Sequence, residues 1–310
     1  MAVLARNRDR RTVVDTLLSL VVSLSTAAWR AVSRLLLPDL PVEASGPDGA
    51  GPPERTAALE RALAECAEQR GQDHPDTIAA RNNLAGRYAA TGRRDAALAQ
   101  FERALDDAVR VLGEQHPLTE VIRENLALCH EDAARFAEAA HHWQLLLDQR
   151  TARLGRHATD TLLTRARLAA ACRRTGRLAE AAEHYRGVLE QHSAFSAEEV
   201  EAWRLGLALT LRRAGRADEA REQLRTVLSQ RSRRLGARHP RTLAVHHQLG
   251  LAYAHAGRPE EAARVLREAY LRCLAAAGDP DVRLLSLRIR RDLAAAYRAA
   301  GRARDAAALY

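Results

Sequence analysis

The sequence repeats itself. A Leu that opens a Leu-Ala or Leu-Gly pair falls at Leu84, Leu126, Leu168, Leu207, Leu249 and Leu293, in steps of 42, 42, 39, 42 and 44 residues. Around the first copy stand His74-Pro75-Asp76-Thr77, Asn83-Leu84-Ala85, Tyr88, Gly92-Arg93, Ala97, Phe101 and Ala104-Leu105, and this string recurs five more times with substitutions. Near-constant steps of this size mark a repeat architecture, in which one unit cannot bury its apolar face alone and neighbours must stack.

Within a unit the apolar positions lie three, four and seven apart, and a Gly-Arg pair interrupts them, which predicts a helix, a tight turn and a second helix. The interrupting residue is Gly92, Gly176, Gly215, Gly257 or Gly301, where the first helix needs a left-handed residue to stop. Ala134 holds that place in the second unit, and a poorer or differently shaped turn is expected there. Acids follow the turns, such as Glu138, Glu180, Glu219, Glu261 and Asp305, facing the positive end of the second helix. Pro75, Pro117 and Pro240 open first helices. His74, His116 and His239 before them are start signals rather than metal ligands or catalytic groups.

Composition agrees. Of 310 residues 47% are hydrophobic but only 4% aromatic, so the core is built from Ala and Leu, and the chain is helix-rich rather than a sheet protein. All 48 basic residues are Arg. Without Lys the chain is neither a P-loop NTPase nor a Schiff-base enzyme. Cys66, Cys129, Cys172 and Cys273 stand far apart in apolar helical surroundings and read as reduced buried thiols. No catalytic motif is present, so no catalytic residue and no cofactor is assigned. His141-His142 and His246-His247 point about 100° apart on a helix, unsuited to sharing one metal, and read as surface or packing residues.

The repeat resembles the tetratricopeptide repeat over roughly residues 54–310. A small residue follows the key Leu at Ala85, Ala127, Ala169, Ala208, Gly250 and Ala294, and another opens the second helix at Ala97, Ala139, Ala181, Ala220, Ala262 and Ala306. Four residues later come Phe101, Trp143, Tyr185, Leu224, Leu266 and Tyr310. The step of 42 and the His-Pro-Asp-Thr and Asn-Asn-Leu-Ala strings make it look like the kinesin-light-chain subtype. The resemblance implies an all-α, right-handed superhelical solenoid whose inner wall, made of first helices, receives an extended or helical peptide. The inward positions it implies are Asn82, Asn83, Glu124 and Asn125, then Arg167, Arg173, Arg174, Arg212, Arg213, His247, Arg288, Arg291 and Arg298. Asn amides bond a peptide backbone, and Arg forks grip carboxylates.

Both ends of the array are irregular. Residues 54–72 read as a half-repeat lid, with Leu59, Ala62 and Leu63 on its apolar face. The sequence stops at Tyr310, inside the second helix expected of the sixth unit, so the last apolar face is expected either to result from shortening or to dock on something. Residues 38–53 form a Pro/Gly/acid-rich linker. Ahead of it, Val13 to Leu37 reads as an amphipathic helix with Arg6, Arg8, Arg10 and Arg11 before it. Docking on protein is the leading reading of that arm, followed by peripheral membrane contact, then by a secretory signal that Asp15 spoils. A cytoplasmic location, membrane-associated if the arm lies on a bilayer, is expected.

Charge divides along the array: residues 54–150 carry a net −5 and residues 151–310 a net +13. The leading functional reading is a non-enzymatic scaffold or adaptor that binds an acidic protein segment in the Arg-lined second half. Second comes nucleic-acid binding, disfavoured by scant aromatics and an acidic first half. The third is a sensor module for a signalling ATPase supplied in trans.

Overall fold

The computed structural model describes residues 52–276 and 278–310. The predicted arm, and the predicted linker up to residue 51, lie outside them. Among the described residues there are thirteen α-helices and no strand: α1 (Pro52–Arg70), α2 (Pro75–Ala90), α3 (Arg94–Leu112), α4 (Pro117–Asp132), α5 (Phe136–Leu154), α6 (Thr159–Thr175), α7 (Leu178–Leu189), α8 (Ala197–Arg213), α9 (Ala217–Leu235), α10 (Pro240–His255), α11 (Pro259–Leu274), α12 (Pro280–Ala299) and α13 (Ala303–Ala307). The all-α class and the helix–turn–helix repeat are as expected. The helices fall into two compact units, one ending at Ala171 and the other running from Cys172 to Tyr310.

Local chemistry sets the boundaries. The Nδ1 atoms of His74, His116 and His239 accept from the backbone N–H two residues on, at 3.2, 3.1 and 3.1 Å, so each histidine caps the helix that its neighbouring Pro opens. Ser196 does the same work for α8 through a capping box with Glu199. At the other end of each first helix the second residue beyond the cap donates back across five residues, as in Arg93 to Tyr88 and Arg216 to Leu211, both at 2.9 Å. This closure needs a left-handed residue, supplied by Gly in five turns.

The turn at Ala134 is poorer, as expected, but not differently shaped. Ala134 itself adopts φ 58°, and Arg135 donates to the His130 carbonyl at 2.8 Å, so the turn keeps the common shape. The substitution is absorbed as backbone strain at one residue rather than as a different loop.

Cores in both units come from the predicted small and bulky positions, except that Tyr310, the bulky residue expected in the sixth unit, lies beyond the last helix and is exposed. Ala85, Ala97, Phe101 and Ala104 are buried in the first unit, and Ala208, Leu224, Ala262 and Leu266 in the second. Close approach is literal at Gly250, where an added Cβ would lie 2.5 Å from Leu266. In α1, Leu59 and Leu63 pack on the first core. Three of the four free thiols are buried, while Cys66 is only half-buried. Burial pushes the Cys172 thiol up to about 12 and that of Cys273 up to about 11, which keeps both protonated. Among the described residues no helix is long and apolar enough to cross a membrane.

Candidate interaction surface

Each first helix buries two sides and leaves one open. On α8 the open positions are Ala202, Leu209, Arg212 and Arg213; on α10 they are Ala244, Gln248, Leu251 and His255; on α12 they are Arg288, Arg291, Ala295 and Arg298. Steps of three and four keep each set on one face.

In the first unit the open face is occupied by internal pairs. Asn82 is buried, and Asn125 donates its Nδ2–H to the Asn82 Oδ1 at 3.0 Å, so two of the predicted amides hold each other. Asn83 beside them is half-buried. Glu124 accepts from Arg150 at 2.6 Å, and Arg150 also donates to Thr164. Arg167 is exposed and lies 3.5 Å from Glu131, whose other oxygen accepts from the buried Trp143 indole at 2.8 Å. Burial holds the Glu131 carboxyl above the usual carboxylate range, against the pull of Arg167.

The second unit is different. Arg213 donates to the Arg173 carbonyl at 2.7 Å, and Arg212 Nη1 lies 3.4 Å from His255 Nδ1. The ends of α6, α8 and α10 are thereby joined in one strip. The Nε atoms of Arg173 and Arg212 are buried without a hydrogen-bond partner among the described residues. Burial, then the neighbouring Arg213 charge, lowers the Arg212 pKa. Arg174, Arg288 and Arg298 are exposed.

His247 does not face outward as expected. It is buried, its Nε2 lies 2.8 Å from Asp292 Oδ2, and Arg291 Nε donates to the other Asp292 oxygen at 3.0 Å. Two residues before the key Leu, its ring turns toward α12, where a carboxylate meets it. His246 is buried too, and its Nδ1 meets Arg272. His142 is half-buried and stacks on His130 at 5.5 Å, while His141 is exposed. No group of three or more His, Cys, Asp or Glu side chains suited to a metal occurs among the described residues.

Two patterns escaped the sequence reading. Three residues before the key Leu stand Arg81, Arg123, Arg165, Arg204 and Arg290, with His246 in the remaining unit. Arg81 and Arg123 are buried and pair with Asp107 and Glu114, each at 2.5 Å. Six before it, Glu120 and Glu201 are buried as well. Glu120 accepts from Arg153 through both oxygens at 3.0 and 2.7 Å, and Glu201 from Arg231 at 2.5 Å. Lining up the repeats on the key Leu exposes both patterns. It also exposes His255, which occupies the place of Arg174 and Arg213 in the two preceding units.

Known proteins agree with this architecture. Two tetratricopeptide repeat models match residues 77–118 and 199–275. No curated protein matches the sequence. Among solved structures, a variant of a putative kinesin light chain from Podosopora anserina with nearly identical TPR-like repeats is 23% identical. It covers 66% of this chain and 99% of its own, with a TM-score of 0.58. BtubC (BKLC) from P. vanneervenii is 19% identical, covering 74% and 94% with a TM-score of 0.56. A tetratricopeptide repeat protein from Parabacteroides merdae is 16% identical, covering 82% and 91% with a TM-score of 0.53. At these identities the likeness is one of fold. The matched models and the recurring capped hairpins show that the chain carries tetratricopeptide repeats in residues 77–118 and 199–275, in a fold similar to that of the kinesin light chain-like repeats.

Proposed function

We propose that the chain is a non-catalytic scaffold or adaptor, and that its second unit takes the acidic part of a partner protein on the open face of its first helices. Tetratricopeptide repeats are protein-interaction modules in general, which supports a binding role without naming a partner. The acidic specificity rests on one observation. The charges of Arg212 and Arg213 oppose each other, Arg213 reaches the Arg173 carbonyl, and none of the three side chains forms an ion pair with a carboxylate among the described residues. Guanidinium groups so placed repel each other and gain most from an anion supplied in trans.

Charge reversal tests this. The Arg173→Glu, Arg212→Glu, Arg213→Glu variant and the parent chain are used as bait under the same conditions, with helicity checked by circular dichroism. Proteins with acidic segments are expected to be lost from the variant. Capture of an identical set by both baits refutes the reading.

A further inference from the structure

Acidic partners come in more than one chemistry, and the cation strip distinguishes between them. Resting on the acidic-partner reading above, we propose that the strip Arg173, Arg213, Arg212 and His255 receives the phosphoryl group of a phosphorylated serine or threonine in a partner protein.

Three features favour a phosphoryl group over a lone carboxylate. The first is valence: the neighbouring guanidinium groups of Arg212 and Arg213 meet the His255 imidazole and the Arg173 carbonyl at the ends of α6, α8 and α10, with the Arg173 side chain on the same helix end. A carboxylate brings one charge and two oxygens, whereas a phosphoryl group brings about two charges and three acceptor oxygens. The second is unspent donor capacity. Neither Arg212 nor Arg213 has a carboxylate partner among the described residues, so the exposed donors that meet only a carbonyl and an imidazole are left for a multidentate anion. The third is that the strip is particular to these repeats. Five and six residues after the key Leu, the second repeat carries Glu131 and Asp132 and the first carries Ala89 and Ala90, so cations at these positions are no requirement of the fold.

The surroundings favour a peptide over a nucleic acid. Leu209 stands one turn before Arg212 on the open face of α8, and Leu251 stands one turn before His255 on α10; both are half-buried. An apolar track leading to one focal cation cluster suits side chains flanking a single phosphorylated residue. A nucleic acid would ask instead for a continuous line of cations along its backbone.

The test uses the full chain and three degenerate peptide libraries that share a central residue: phosphoserine, serine or glutamate. Binding is read by fluorescence anisotropy. One charge-assisted hydrogen bond beyond those of a carboxylate corresponds to about tenfold in affinity, so the phosphoserine library is expected to bind at least about tenfold more tightly than the glutamate library. Arg212→Gln with Arg213→Gln is expected to erase that preference, whereas Arg288→Gln with Arg298→Gln leaves it in place; circular dichroism verifies the fold of each. Inorganic phosphate at millimolar concentration is expected to compete. Equal binding of the phosphoserine and glutamate libraries overturns the phosphoryl assignment and leaves the acidic-partner reading standing. Binding of neither overturns both. Single-stranded DNA that displaces the phosphoserine library at equal phosphate concentration overturns the choice of a protein ligand.

Discussion

The two units treat the same residue type in opposite ways. In the first unit, buried or half-buried arginines find acids: Arg81 with Asp107, Arg123 with Glu114, Arg150 with Glu124 and Arg153 with Glu120. In the second unit that pairing continues inside the helix stack, where Arg231 meets Glu201. It fails on the open face, where Arg213 meets the Arg173 carbonyl and Arg212 meets the His255 imidazole and the Arg213 charge. Composition alone does not separate these cases. A guanidinium that closes a hairpin and one that waits for a partner are the same side chain, and only its neighbours tell them apart.

The largest expected effect sharpens this contrast. Glu120→Ala leaves Arg153 and Arg150 without their shared carboxylate inside the first unit, and breaking a buried pair in this way costs about 3 kcal/mol. Arg212→Ala removes a cation that has no carboxylate and lies beside another cation, so it is expected to change stability by no more than about 0.5 kcal/mol. Urea unfolding of both variants checks the pair. Similar losses would erase the distinction between structural and open-face arginines.

An intermediate effect concerns acid. Burial depresses the pKa of His142 in the first unit and of His246 in the second to about 4, from an ordinary 6.5. Above pH 6.5 both forms of the chain hold these rings neutral, and their contribution to stability is complete. Below it the unfolded chain takes up protons first, so stability falls until the folded pKa is reached. Each such histidine contributes a slope of up to about 1.4 kcal/mol per pH unit. Unfolding measured between pH 7 and 4 is expected to show this loss, and His142→Gln and His246→Gln are each expected to flatten it. If only one replacement does so, the two units differ in their burial of histidine as well as in their use of arginine.

The smallest effect is a gain. Ala134→Gly relieves a left-handed alanine in a turn that every other repeat closes with glycine, and is expected to stabilise the first unit by about 1 kcal/mol, read as a rise in melting temperature. No gain would mean that the strain at Ala134 is already offset by its surroundings.

Most of the fold was legible because its rules are local and recur six times. The key Leu, the small residue after it, the turn glycine and the His-Pro start each report on contacts within one hairpin or with the next, and repetition averages out the noise of any single copy. At Ala134 residue preference reports the strain but not the retained shape, which the closure from Arg135 to the His130 carbonyl holds. The interaction surface was legible only in outline. The positions Arg173, Arg212 and Arg213 came from the repeat register, but the same register placed His247 outward and passed over His255.

The sequence by itself determined the repeat, its two-helix unit, the capped boundaries and the imbalance of charge along the chain, since these follow from spacing, backbone preference and counting. Tertiary structure alone decided which charges neutralise each other. Arg81 meets Asp107, Arg153 meets Glu120, and His247 meets Asp292 across separations of 26, 33 and 45 residues, through helices brought together by apolar burial. Whether a charge is spent or open depends on distances between side chains that no local pattern encodes.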